Sequence, residues 1–213
     1  MSINAEVYQS VIEGMKKIIF LLYRDLIDRP RIMLVMEHDA RFVHLEIFER
    51  LKMPPRLLAH LTLVHDAEKR LLKEMAAAFP KVKIDKELAL FGAATHDIGK
   101  CVCKNELTQP GRKHEAQGQK LLLSLGASPQ MAAFAKNHSS WSERSSIESL
   151  LVSLADKIWK GSRVAELEDL VAAKFSQASA LEKWEAYLLL DDIIQKIASD
   201  ADKRLVWQNQ FEV

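Results

Sequence analysis

Apolar side chains recur at every third or fourth position along most of this chain. No stretch alternates apolar with polar long enough to make a half-buried strand. That periodicity admits helices and little else. Seven glycines and six prolines in 213 residues leave few of the tight turns on which a sheet-rich fold depends. The expected fold class is all-α.

The pattern divides the chain. Residues 4–27 carry Val7, Val11, Met15, Ile18, Ile19, Leu22 and Leu26 on one face, ending at Asp28-Arg29-Pro30 because proline pushes its predecessor out of helical geometry. A second periodic stretch covers about 39–51. Pro54-Pro55 then opens a long helix through about residue 78, since proline is tolerated in a first turn. Residues 85–98 are apolar almost all round, the pattern of a helix buried on several sides, with Gly99 placed as a left-handed terminator. A helix from about 113 to Gly126 follows the Pro110-Gly111 turn, and Ser128-Pro129 starts another. Ser145 with Glu148, and Ser179 with Glu182, read as capping boxes for helices running through about 164 and 199. This organisation predicts an N-terminal helical extension (1–53), a core (54–165) and C-terminal helices packing on it (166–213).

Charge and composition narrow the function. Lys and Arg total 30 against 29 Asp and Glu, so no global field recruits a nucleic acid polymer or an anionic membrane. The apolar run Ile18–Tyr23 is far short of the roughly 20 residues that span a bilayer. It also lacks the small-residue cleavage site of a signal peptide. Cys101 and Cys103 are too close in the chain for an easy disulfide, and read as thiols in a reducing compartment. A cytoplasmic protein is expected.

The chemistry concentrates in histidines and aspartates set among apolar residues. His96-Asp97 ends the most apolar helix, and a carboxylate there is costly unless it is paired or binds a metal. Asp156 repeats that logic among Leu150, Leu151, Leu154, Ile158 and Trp159, with Lys157 as an alternative structural partner. His138 shares a face with Met131 and Phe134, and Gly118 lies one turn beyond His114. Read alone, both are also compatible with ordinary core or surface histidines. His60 points inwards with Leu57 and Val64, whereas His65, beside Asp66, Glu68 and Lys69, reads as the more solvated of the two.

In order, His60-Leu-Thr-Leu-Val64, His96-Asp-Ile-Gly-Lys100, His114-Glu-Ala-Gln-Gly118, His138-Ser139 and Leu154-Ala-Asp-Lys157 with Arg163 resemble the ligand skeleton of the HD-domain metal-dependent phosphohydrolases. The extra histidine pair resembles the dinuclear branch, and within it the bacterial symmetrical diadenosine tetraphosphate hydrolases. The likeness spans about residues 55–165. It implies a helical bundle in which Asp97 bridges two metals, with His60, His96 and Asp156 completing one site and His114 and His138 the other. His60 fits the pattern better than His65, because an aliphatic residue, Val64, stands four positions on. No Gly-Tyr-Pro follows the later histidines, which disfavours the cyclic-dinucleotide branch.

Imidazole and carboxylate ligands suit two divalent ions, iron or manganese rather than zinc. Two such ions would acidify a water for in-line attack on phosphorus, with Asp97 and Lys100 as the catalytic residues. Lys100, Arg112, Lys157 and Arg163 are the candidate substrate-binding cations, with Lys104 and Lys113 nearby. Trp141 and Trp159 are weaker candidates for stacking on a base. The expected partner is a small phosphorylated molecule, a nucleotide first among them, and a homodimer stays open. The alternatives are a mixed-valence di-iron oxygenase on the same scaffold and a regulatory module that binds metal without turnover.

Overall fold

A computed structural model describes residue 51 and residues 53–213. The helices expected over 4–27 and 39–51, and the role of that segment, lie outside the described residues. Within them the fold is all-α: α1 (Pro55–Ala78), α2 (Lys86–Thr95), 3-10 turns at Ile98–Cys101 and Lys104–Leu107, then α3 (Lys113–Ser124), α4 (Pro129–Asn137), α5 (Ile147–Ile158), α6 (Ala165–Ser179), α7 (Lys183–Ala198) and α8 (Ala201–Gln208). No described helix is long and apolar enough to cross a membrane.

Helix α1 packs against α2, α5 and α7, while α3 pairs with α4 and α6 with α7. One apolar cluster joins Val64, Leu71 and Met75 of α1 to Ala93, Leu151, Leu154, Phe175 and Leu190. The C-terminal helices therefore share the core of the central ones. A second cluster joins Leu57 and Leu61 to Phe91, Ile98, Leu122 and Met131. Helices α1 and α2 contribute to both clusters. The end of the chain ties back on the start of α1, where Arg56 N donates to Glu212 O and Phe211 packs on Leu58 and Ala59. Arg204 donates to the Trp159 and Ile197 carbonyls, closing the C-terminal ends of α5 and α7 together.

Several boundaries differ from the expected ones. The left-handed glycines are Gly126 and Gly161, not Gly99. What Gly99 supplies is close approach, because a Cβ there would overlap the His114 carbonyl oxygen and stand 2.6 Å from Gly118 N. Gly118 in turn lies against Gly99 and Ala135, a close approach that its lack of a side chain allows. Ser146, not Ser145, caps α5 by accepting from Ser149 N at 3.1 Å. Glu148 instead accepts from Asp85 N, which ties the start of α2 to the start of α5. Helix α5 ends at Ile158, short of 164. The C-terminal capping box is Glu182 with Glu185, since Ser179 belongs to α6, where its hydroxyl donates back to Phe175 O. In each case a neighbouring acceptor won the helix start.

Glu68 of α1 is wholly buried, and neither carboxylate oxygen has a hydrogen-bond partner. Burial, aided by the nearby Glu148 carboxylate, pushes its pKa up to about 8. Between the ordinary value of 4.5 and about 8 the folded protein holds a proton that the unfolded chain has released. Stability therefore falls as pH rises across that window, by up to about 1.4 kcal/mol per pH unit. Glu68→Gln should flatten this dependence, so that urea midpoints of the variant and the parent diverge from pH 5 to pH 8 with the variant the more stable. Parallel profiles would contradict the assignment.

Candidate metal centre

His96 is the last residue of the α2 turn ladder, and the chain leaves the helix at Asp97, which has φ −103° and ψ 9°. That break lets two adjacent side chains converge instead of pointing about 100° apart. The 3-10 turn that follows packs on α3, and the Gly99–Gly118 contact draws the start of α3, with His114, towards Asp97. His138 stands at the C-terminal cap of α4, where Ser153 Oγ of α5 lies 2.9 Å from its carbonyl oxygen. His60 and Asp156 are brought in by α1 and α5.

The two oxygens of Asp97 face different partners. Oδ2 lies 3.2 Å from His60 Nε2 and 3.8 Å from His96 Nε2. Oδ1 lies 3.1 Å from His114 Nε2 and 3.4 Å from His138 Nε2. Asp156 Oδ1 joins the first group, 3.4 Å from His60 Nε2 and 3.6 Å from His96 Nε2. The atoms that could hold a metal fall into two sets that share Asp97: His60, His96 and Asp97, and Asp97, His114 and His138. All are buried except His60, whose side chain keeps 13% exposure.

The donor chemistry fits metal ions. His96 Nδ1 donates to Ala93 O at 3.0 Å and His138 Nδ1 to Ala135 O at 3.1 Å, since a carbonyl can only accept. His114 Nδ1 lies 2.6 Å from Glu106 Oε2. Each Nε2 then faces the shared aspartate. Burial opposes charge on His96 and His114, yet their carboxylate neighbours raise both, and an ion would take the place of the Nε2 proton. Asp97 Oδ1 is buried without a hydrogen bond, an anionic acceptor that a cation would satisfy. Burial and the neighbouring His96 push His138 down to about 4, so its ring is neutral at pH 7. Burial also lowers His60, against the pull of Asp97. Burial opposes charge on Asp97 itself, yet His96, His114 and His60 together hold it well below the usual carboxylate range. Cys101 is pushed up to about 11, chiefly by burial, so it offers no thiolate.

Other expectations sort by contact. His65 is buried, at 6% exposure, rather than solvated, and its ionic neighbour is Asp66 at 3.8 Å, not a member of either set. Lys100 Nζ donates to Asp97 Oδ2 at 2.5 Å and Lys157 Nζ to Asp156 Oδ2 at 2.8 Å. Arg112 bonds Glu115 and the hydroxyls of Ser139 and Ser140. Arg163 is committed elsewhere, to Glu168 at 2.6 Å and Asp191 at 2.5 Å, and so joins no ligand. Trp159 is 3% exposed and packs edge-on against His60 with ring centroids 5.3 Å apart, so it is a wall of the site and not a free stacking surface. Trp141 packs against the main core.

Sequence reasoning missed Glu106, Glu115, Ser139's hydroxyl and Ser153. Glu106 accepts from Lys113 N and His114 N, both at 3.0 Å. These bonds, that to His114 N first, lower its pKa. The available signal was negative: α3 starts at Lys113 after Arg112, with no Ser, Thr, Asp or Asn to cap it.

Residues 69–159 match the HD domain. The match holds His96, Asp97, His114, His138 and Asp156, while His60 precedes its first residue and is placed by the structure alone. No curated protein and no solved structure matches the chain. If each of the two sets that share Asp97 holds an ion, a direct prediction follows. Asp97→Asn should remove both ions, because the amide offers one neutral acceptor in place of two anionic oxygens. His138→Ala should empty one site and leave His60, His96, Asp97 and Asp156 to hold the other. Metal analysis of manganese-reconstituted variants with matched circular dichroism decides it, and two ions retained in Asp97→Asn would contradict the shared ligand.

Proposed function

We propose that this chain is a metal-dependent phosphohydrolase acting on a small phosphate ester or anhydride, with a nucleotide as the favoured substrate class. The observation that carries the reading is the split of Asp97, with one oxygen towards His60 and His96 and the other towards His114 and His138. In this reading His60, His96, Asp97 and Asp156 hold one divalent ion, and Asp97, His114 and His138 a second. Iron and manganese suit this mixed imidazole and carboxylate set, with no thiolate to favour a softer ion. Bound there, such ions supply Lewis acidity at a phosphoryl oxygen and lower the pKa of water towards about 7.

The protein's own residues do the rest. The lysines on Asp97 and Asp156 place two ammonium groups at the rim of the ligand set, each side chain 23% exposed. Both can turn from carboxylate to phosphoryl oxygen when a cation takes over the carboxylate. A point charge in such a half-buried position stabilises growing negative charge more than it would in water. Arg112, with its side chain 65% exposed, borders His114 and His138 through Glu115 and Ser139. It is the third cation of the proposed substrate site. Trp159 and the apolar wall behind His60 limit water on the opposite side. The likeness to symmetrical diadenosine tetraphosphate hydrolases makes a dinucleoside polyphosphate one member of the panel to test.

The experiment is a screen of phosphate monoesters, diesters, nucleotides and dinucleoside polyphosphates with manganese- or iron-loaded protein, run with and without oxygen. Oxygen-independent phosphate release is expected. Turnover that requires oxygen and two irons would favour the oxygenase alternative, and metal binding without turnover the regulatory one. Lys100→Met should lower kcat/KM on the active ester by about tenfold or more, on the scale of a lost charge-assisted contact, while metal content stays normal. Unchanged kinetics would remove Lys100 from the mechanism.

A further inference from the structure

His114 differs from the other ligand histidines in what holds its far nitrogen. His96 and His138 stand at helix C-terminal ends, and their Nδ1 atoms reach carbonyls three residues back, Ala93 and Ala135. His114 is the second residue of α3. Three residues back from it is Gly111, outside the helix, so the local carbonyl that serves the other two is missing. A side chain from the preceding 3-10 turn stands in its place. Glu106 Oε2 takes His114 Nδ1 at 2.6 Å and His114 N at 3.0 Å, and Oε1 takes Lys113 N at 3.0 Å. Gly111 makes room for it, since a Cβ at that position would collide with the Glu106 carboxylate.

We infer that Glu106 is a positioning residue that both caps α3 and keeps the proton on His114 Nδ1, so that Nε2 faces Asp97 Oδ1 and His138 and is the nitrogen left to hold an ion. Two of the three groups that meet this carboxylate are backbone N–H groups, which can only donate. An ionised carboxylate has no proton of its own to give, so in the 2.6 Å contact the ring Nδ1 is the donor. An ionised carboxylate on Nδ1 also raises the basicity of the opposite nitrogen more than a backbone carbonyl does. Only one half of the centre therefore carries a carboxylate-backed imidazole. Its ion depends on a residue that the other half does not use.

The bond from His114 Nδ1 to Glu106 needs no metal. The consequence for affinity rests on the two-ion reading given under Proposed function, and the test keeps the two apart. In metal-free, 15N-labelled protein, ring 15N–1H correlation spectra report the His114 tautomer, with the signal assigned by its absence in His114→Gln. The Nδ1–H form is expected in the parent and in Glu106→Gln, whose amide oxygen still accepts, and its loss is expected in Glu106→Ala. A His114 ring without a proton on Nδ1 in the parent, or persistence of the Nδ1–H signal in folded Glu106→Ala, would overturn the inference. The parent measurement suffices if Glu106→Ala does not fold. Manganese(II) titration supplies the second readout. Glu106→Ala should weaken one binding step by about 10–100-fold and leave the other unchanged, whereas equal weakening of both would overturn the site-specific role. A parent that binds a single ion but shows the expected tautomer would instead contradict the two-ion reading and leave Glu106 in its role.

Discussion

The arrangement depends on one buried anion. Asp97 is 3% exposed, and an isolated carboxylate in that position would cost several kcal/mol. What makes it tolerable is a shell of imidazoles on both oxygens, with the Lys100 ammonium at one of them. Six side chains from five parts of the chain must arrive together for that shell to exist. Most of what distinguishes this helical bundle from any other serves that convergence.

The backbone contacts around Asp97 show how. Helix α2 stops one residue before the aspartate, and the 3-10 turn carries Gly99 against Gly118 so closely that neither position has room for a larger residue without movement. Phe134 seals the opposite side of α2, its ring filling the space a Cβ on Gly92 would occupy. Ser153 pins the His138 backbone to α5, and Arg204 closes the end of the same helix just past Asp156 and Trp159. The C-terminal helices are thus part of what holds the ligands, although they contribute none.

The sequence made the helices and the ligand order readable because both follow from periodicity and from the cost of polar groups in apolar stretches. His96-Asp97 and Asp156 stand out as carboxylates and imidazoles in the most apolar helices. Caps were harder. Ser145 and Ser146 offer the same hydroxyl one residue apart, but Ser145 Oγ accepts from Ser142 N and Glu148 from Asp85 N, which leaves the cap to Ser146. Solvation of His65 was misread because its charged neighbours do not share one environment: Asp66 and Lys69 are exposed, whereas Glu68, like His65, is buried. Arg163 lies close to the last motif in sequence, yet Glu168 and Asp191 capture it from α6 and α7. Glu106 carries no periodic signal at all, since its partner lies across a turn.

The proposed function stands on one aspartate joining two metal ions. Its most direct test is electron paramagnetic resonance of the protein loaded with manganese(II) at one and two equivalents. Ions bridged by a carboxylate, at the roughly 3.5–4 Å of two-metal sites, should give an exchange-coupled multiline signal that grows in with the second equivalent. A spectrum that stays the six lines of isolated manganese at saturation would contradict it.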